Sequence, residues 1–194
     1  IIVLHDNAYS ELVFDGKTAG SFLRFPGAKE VGVEFNSLSK TYGLAGARIG
    51  FCIGNPDVVA HLKLLKSNMD YGMFLPVQQA AIAAVTGDQS CVEATRKAYG
   101  RRRNILCDSF TEIGWKMERS QATMFVWAQI PQGFENSQQF VMGLVEKAGG
   151  MVTPGSAFGP SGEGYVRLAL VQDEEVIHEA VQAVKESGIL ERSL

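Results

Sequence analysis

Ser37-Leu38-Ser39-Lys40-Thr41-Tyr42-Gly43-Leu44-Ala45-Gly46-Ala47-Arg48-Ile49-Gly50 is the run from which the fold of this chain can be read. Apolar segments frame it, Val31 to Phe35 before and Ala47 to Ile53 after, so its polar, glycine-bearing middle reads as a loop between two strands. The loop unit gathers one primary amine, two hydroxyls and, eight residues past the lysine, a guanidinium. The Ser37 and Ser39 hydroxyls and Arg48 can hold a phosphate through charge-assisted hydrogen bonds, and the amine of Lys40 can attack an aldehyde carbon. A Ser-x-Ser-Lys tetrapeptide taken alone is a weak signal that reads more readily as a solvated surface lysine, so its surroundings have to decide.

Working outward, Ile1-Ile2-Val3-Leu4 reads as a strand buried in a sheet, and its start without Met leads us to expect further chain upstream. His5-Asp6-Asn7-Ala8-Tyr9 follows at once. Asp6 thus falls at the carboxyl end of a strand, where α/β proteins build their sites. Asp6 and Tyr9 together suit a planar heteroaromatic ring: pyridoxal 5'-phosphate acts as an electron sink only while its ring nitrogen stays protonated, which a carboxylate enforces, and a phenol can bond the ring oxygen. His5 itself reads as structural support.

Downstream, Pro56 opens a helix to about Asn68 and Pro76 a second, Gln78 to Val85. A long helical stretch from Ser90 to about Ile113 contains Arg101-Arg102-Arg103, read as ion-paired rather than as a nucleic-acid patch. Beyond Gly114, Met124 to Ala128 and Tyr165 to Val171 read as strands, and Ser137 to Ala148 and Glu174 to Ser187 as helices. The expected fold class is α/β: residues 1–100 in a mostly parallel sheet with its helices, and residues 101–194 in a smaller α+β domain, the boundary lying inside the long helix at about 90–113.

The two quoted motifs, Asp-x-x-Tyr at a strand end and then the lysine run, resemble the signature of the fold-type I class I/II aminotransferases of the aspartate aminotransferase superfamily. Within it, Asn36 to Phe51 is most similar to the branch holding LL-diaminopimelate, alanine and aspartate aminotransferases. The resemblance covers the C-terminal half of the family's usual length. It implies pyridoxal 5'-phosphate as cofactor, Lys40 as the amine that forms the Schiff base and moves protons, Asp6 as partner of the ring nitrogen, Tyr9 of the ring oxygen, and Ser37, Ser39 and Arg48 as phosphate ligands. Pro154-Gly155-Ser156-Ala157-Phe158-Gly159 followed by Gly164-Tyr165-Val166-Arg167-Leu168 is similar to the segment bearing the substrate-carboxylate arginine, here Arg167, whose planar fork can take a carboxylate bidentately. The implied reaction moves an amino group between an amino acid and a 2-oxo acid, in a cytoplasmic homodimer, and the chain by itself is expected to be inactive.

Composition narrows the partners. A formal net charge of -3 over 194 residues, with mixed signs, offers no electrostatic footprint for nucleic acid. No apolar run reaches the roughly 20 residues that a bilayer span requires, and no basic start and cleavage site mark a signal peptide. Cys52, Cys91 and Cys107 lack metal-ligand spacing, so no metal is expected and each reads as a reduced, structurally buried thiol. His61 and His178 read as helix-surface residues, Gly155 to Gly164 as a site-lining loop, and Tyr71 as a further candidate. Two rival functions stand beside aminotransfer: a cofactor-dependent β-lyase or decarboxylase on the same fold, and an aminotransferase-like effector domain of a transcription regulator.

Overall fold

In the computed structural model, which describes residues 1–191, the chain divides into two compact units, Ile1–Lys97 and Ala98–Leu194. The first is built on a sheet of three strands ordered β1-β2-β3: β1 (Val3–Asp6), β2 (Gly32–Ser37) and β3 (Gly50–Gly54). β1 and β2 run parallel from Val3 opposite Gly32 to Asp6 opposite Phe35. Their long crossover carries a 3-10 turn at Phe22–Arg24 and the single-turn α1 (Ala28–Val31).

β3 returns antiparallel, with Ser37 opposite Gly50 and Val33 opposite Gly54. Within this chain the sheet is therefore mixed rather than mostly parallel. The connection from β2 holds only the single-turn α2 (Leu38–Thr41) and a 3-10 turn at Ala45–Ala47, with no helix long enough to cover the sheet as a parallel crossover does, and the chain reverses. The same turn shortens the strand expected from Ala47, which begins at Gly50.

The expectation that Ile1 to Leu4 is buried fails. All four residues are exposed, because β1 is an edge strand of this sheet. α3 (Pro56–Met69) starts where Asn55 Oδ1 accepts from the backbone N–H groups of Asp57 and Val58 at 3.0 and 3.1 Å, with Pro56 in the first turn, where its missing N–H is not needed. α4 (Leu75–Thr86) and the long α5 (Ser90–Glu112) follow, and the division into units falls within α5.

The second unit is an antiparallel sheet ordered β4-β6-β5, formed by β4 (Phe125–Gln129), β5 (Thr153–Pro154) and β6 (Tyr165–Ala169). Two helices accompany it, α6 (Ser137–Ala148) and α7 (Glu174–Glu186). The two-residue β5 was too short to announce itself in the sequence. Phe110, Trp115 and Phe140 pack edge to face, with ring centroids 5.1 and 4.9 Å apart, and the indole N–H of Trp115 donates to Gln129 O at 2.7 Å. Arg101 pairs with Glu174 and Arg102 with Asp173, as expected, whereas Arg103 departs from the expected solvated face: it is buried and donates to Ser120 O at 2.7 Å.

Candidate active site

β1 and β2 are parallel neighbours, so their carboxyl ends lie side by side. Asp6 closes β1 opposite Phe35, and β2 runs two residues further to Ser37. There the chain turns into α2: Ser37 Oγ accepts from the N–H of Ser39 at 3.1 Å, which caps the turn carrying Ser39 and Lys40. Leu38 and Thr41 face inward while Ser39 and Lys40 are half-buried. Leu38 forms an apolar base with Ile49 and Ala81, flanked by Tyr42, Leu44 and Val77.

The antiparallel return of β3 brings Arg48 back alongside, since the N–H of Leu38 donates to Ile49 O at 3.3 Å. Arg48 is exposed, adopts a left-handed backbone (φ 53°), and donates from Nη1 to Ala45 O at 2.9 Å. A non-glycine residue held in that region is a mark of local strain, which concentrates at functional sites. Asp6 is exposed at the strand end, and Tyr9 is half-buried in the turn that follows. Topology thus draws Asp6, Ser37, Ser39, Lys40 and Arg48 to one end of the first sheet, with Tyr9 on the turn leaving it.

Sequence reasoning missed a further group, set back from that end within β2. Glu34, in the middle of β2, is 3% exposed. It accepts from Ser21 Oγ at 2.5 Å, the N–H of Phe22 at 3.0 Å, Asn7 Nδ2 at 2.9 Å and Asn36 Nδ2 at 3.3 Å. His5 Nδ1 faces the same carboxylate at 3.1 Å, and because an ionised carboxylate only accepts, the ring carries a proton on that nitrogen. Burial pushes this carboxyl up, but hydrogen bonds from Ser21, Asn7 and His5, together with the charge on His5, outweigh it and hold the pKa at about 2. The sequence signal was a charged residue inside the apolar run Val31 to Phe35.

In the second unit Arg167 lies on the sheet face that bears Phe125, Trp127 and Tyr165, opposite Trp127 in the ladder. Its guanidinium sits between the rings of Phe125 and Phe158, 4.2 and 4.5 Å from their centroids. Trp127 stacks on Tyr165 and meets Phe158 edge-on. Phe158 is delivered by the loop after β5, where Gly155 and Gly162 press backbone to backbone; a Cβ on Gly155 would come within 1.9 Å of Gly162 O. A guanidinium held flat by two rings keeps its N–H edge for a planar acceptor such as a carboxylate.

The remaining candidates are less informative. Tyr71 is 92% exposed on a left-handed backbone. Cys107 is buried, and burial pushes its thiol up to about 11; Cys91, by contrast, is exposed, so the structural reading fails for it, because its position on α5 faces outward. His61 bonds Asp57 O within α3, and His178 is exposed on α7. Among the described residues no group of three or more His, Cys, Asp or Glu could hold a metal ion, and no helix is long and apolar enough to cross a membrane. The donor set of the first sheet is a carboxylate, a phenol, two hydroxyls, an amine and a guanidinium. It fits by its chemistry a phosphorylated pyridine aldehyde.

The chain belongs to the class I and II aminotransferase family, whose model matches residues 1–184. It is 46% identical over 185 residues to LL-diaminopimelate aminotransferase of Moorella thermoacetica, covering 95% of this chain and 47% of that protein. It is 44% identical over 187 residues to glutamate-pyruvate aminotransferase AlaC of Escherichia coli, covering 95% and 45% respectively. The substrate-bound BacF structure from Bacillus subtilis superimposes with a TM-score of 0.92 at 38% identity, over 96% of this chain and 47% of that one. The chain spans about half the length of the curated relatives it matches.

Proposed function

We propose that the protein carrying this chain is a pyridoxal 5'-phosphate-dependent aminotransferase that moves an amino group between an amino acid and a 2-oxo acid, as a homodimer in the cytoplasm. In this reading residues 1–100 are the C-terminal part of the large, cofactor-binding domain and residues 101–194 the small domain. The observation that carries it is the convergence of Asp6, Ser37, Ser39, Lys40 and Arg48 on one end of the first sheet, ordered by the β1–β2 and β2–β3 ladders. When bound, the cofactor supplies the electron sink that makes the substrate Cα–H acidic.

The chain's own residues have the following roles. The Asp6 carboxylate keeps the ring nitrogen protonated, and the Tyr9 hydroxyl bonds the ring oxygen. Ser37, Ser39 and Arg48 anchor the phosphate. The Lys40 amine would hold the cofactor through its aldehyde carbon and would serve as the base that moves the proton of the substrate Cα. Arg167 takes the substrate carboxylate bidentately, which fixes the bond to be broken. LL-diaminopimelate, or glutamate with pyruvate, is the substrate suggested by the names of the relatives at 44–46% identity.

Lys40→Ala in the full-length protein should remove the visible absorption of the bound cofactor and nearly all transamination. Retained turnover would overturn the assignment. Product analysis separates the rival chemistry: a 2-oxo acid formed without ammonia release supports transfer, whereas released ammonia or carbon dioxide points to the β-lyase or decarboxylase.

A further inference from the structure

Glu34 is an ionised group in a place that disfavours charge, 3% exposed and surrounded by five donors. A buried ion with all its partners is a weak stabiliser compared with an apolar residue of the same size, so its presence asks for another reason. Its donors suggest one. Two of them, His5 and Asn7, stand immediately before and after Asp6.

In an extended chain residues two apart share a face and the one between points away. Glu34 lies opposite His5 in the parallel ladder, and the N–H of Asn7 extends that ladder by donating to Phe35 O at 2.8 Å. The carboxylate therefore grips the segment from behind while Asp6 faces the other side. The two grips fall on different oxygens, His5 on Oε2 and Asn7 on Oε1. A planar carboxylate held at both oxygens fixes both the height and the rotation of the strand end. Asn36 extends the hold, donating to Oε1 at 3.3 Å and accepting from Ser10 Oγ at 3.4 Å, one residue past Tyr9. Ser21 and the N–H of Phe22 fasten the other side of Oε2 to the crossover.

Resting on the functional reading above, we infer that Glu34 is a positioning residue: it sets the direction of Asp6, and through Asn36 and Ser10 the turn bearing Tyr9, for the pyridine ring of the cofactor. It touches neither cofactor nor substrate. Its effect reaches the chemistry through the distance and angle between the Asp6 carboxylate and the ring nitrogen.

The test uses the full-length protein with Glu34→Gln, Asn7→Ala, Asp6→Ala and the Glu34→Gln/Asp6→Ala pair. The readouts are the dissociation constant of pyridoxal 5'-phosphate, the pH midpoint of the bound cofactor's visible band, and the melting temperature of the apoprotein. Losing the support behind a metal ligand costs roughly 10- to 100-fold in affinity, and by analogy Glu34→Gln is expected to weaken cofactor binding by about tenfold or more and to move the midpoint. Asn7→Ala, which removes one grip and leaves the other donors, should act in the same direction with a smaller effect, and keeps the test readable should Glu34→Gln fail to fold. In the Asp6→Ala background Glu34→Gln should add little, because both act through one contact. If Glu34→Gln and Asn7→Ala lower only the melting temperature and leave affinity and midpoint unchanged, the positioning role is overturned. If the unsubstituted protein binds no pyridoxal 5'-phosphate, the functional reading itself falls, which is a separate result.

Discussion

The unit from Ala98 onward and the unit before it differ in how their buried residues are grouped. In the second, Leu106, Phe110, Trp115, Phe140, Leu144, Val166, Leu170 and Val181 belong to one continuous apolar cluster that also takes in Ile189. In the first, the cluster beneath the lysine turn consists of Leu38, Ile49 and Ala81. Its buried strand residue with the most polar partners is a carboxylate, Glu34, while Leu64, Leu65 and Met69 of α3 and Leu75, Ile82 and Val85 of α4 stay exposed. The second unit is closed by one large apolar cluster, whereas the first buries Leu12, Phe14, Val33 and Leu38 and carries beside them a hydrogen-bond network around a strand end. Packing tolerates little loss of volume, whereas a polar network responds to protonation, so the two should fail under different stresses.

The largest effect is expected in the apolar unit. Phe140 is fully buried and meets both Trp115 and Phe134 edge to face at 4.9 Å. Phe140→Ala removes a ring from the centre of the cluster and should cost about 3–5 kcal/mol, as aromatic truncations in cores do. Both tryptophans of the chain, Trp115 and Trp127, lie in this unit, so the shift in urea midpoint read by their fluorescence reports it directly. A loss under about 1 kcal/mol would mean that the cluster relaxes into the cavity and is less tightly closed than the contacts imply.

Acid should strike the other unit first. The Glu34 carboxyl is lowered from 4.5 to about 2 in the folded protein. A depressed carboxyl contributes stability that is fully present above the unfolded pKa and lost as pH falls through the folded one. The difference corresponds to about 3 kcal/mol at neutral pH, disappearing between roughly pH 5 and pH 2. Amide exchange at Val33 and Phe35, taken relative to the intrinsic rate at each pH, should accelerate across that window in the unsubstituted protein and not in Glu34→Gln, while amides of Val126 and Leu168 should not follow. Parallel acceleration in both units would break the distinction between them.

What could be read from sequence follows the same division. The boundaries of α6 and α7 emerged nearly to the residue because the apolar periodicity agrees with the packed structure, in which Asn136 caps α6 and Gly149 ends it. The site's end of the first sheet was legible because Asp6 ends one apolar run and Lys40 follows another. Glu34 was not: between Val33 and Phe35 it reads as the solvent side of an alternating strand, and only the return of the segment around Ser21 onto that face turns the position inward. The exposed face of β1 was misread for the complementary reason. Four apolar residues in a row imply burial in a sheet, but burial depends on what lies beside the strand, which local sequence does not carry. The direction of β3 was likewise set by the link from β2, which holds no helix long enough for a parallel crossover, rather than by anything in the strand itself.

The smallest effect concerns the apolar surface of α3, and it sharpens the comparison most if it fails. Leu64 is 64% exposed, so about a third of its transfer free energy is realised within this chain. Leu64→Ser should therefore change stability by less than about 1 kcal/mol, in line with substitutions away from a core. The same substitution in the full-length protein, measured by urea denaturation, tests whether that holds when every segment is present. A cost above about 2 kcal/mol would require the α3 surface to be covered there, since no partly exposed leucine can lose more than it has buried. The first unit would then be as closed as the second, its lining of Leu64, Leu65 and Met69 serving as core, and its dependence on the Glu34 network would concern orientation at the site rather than stability.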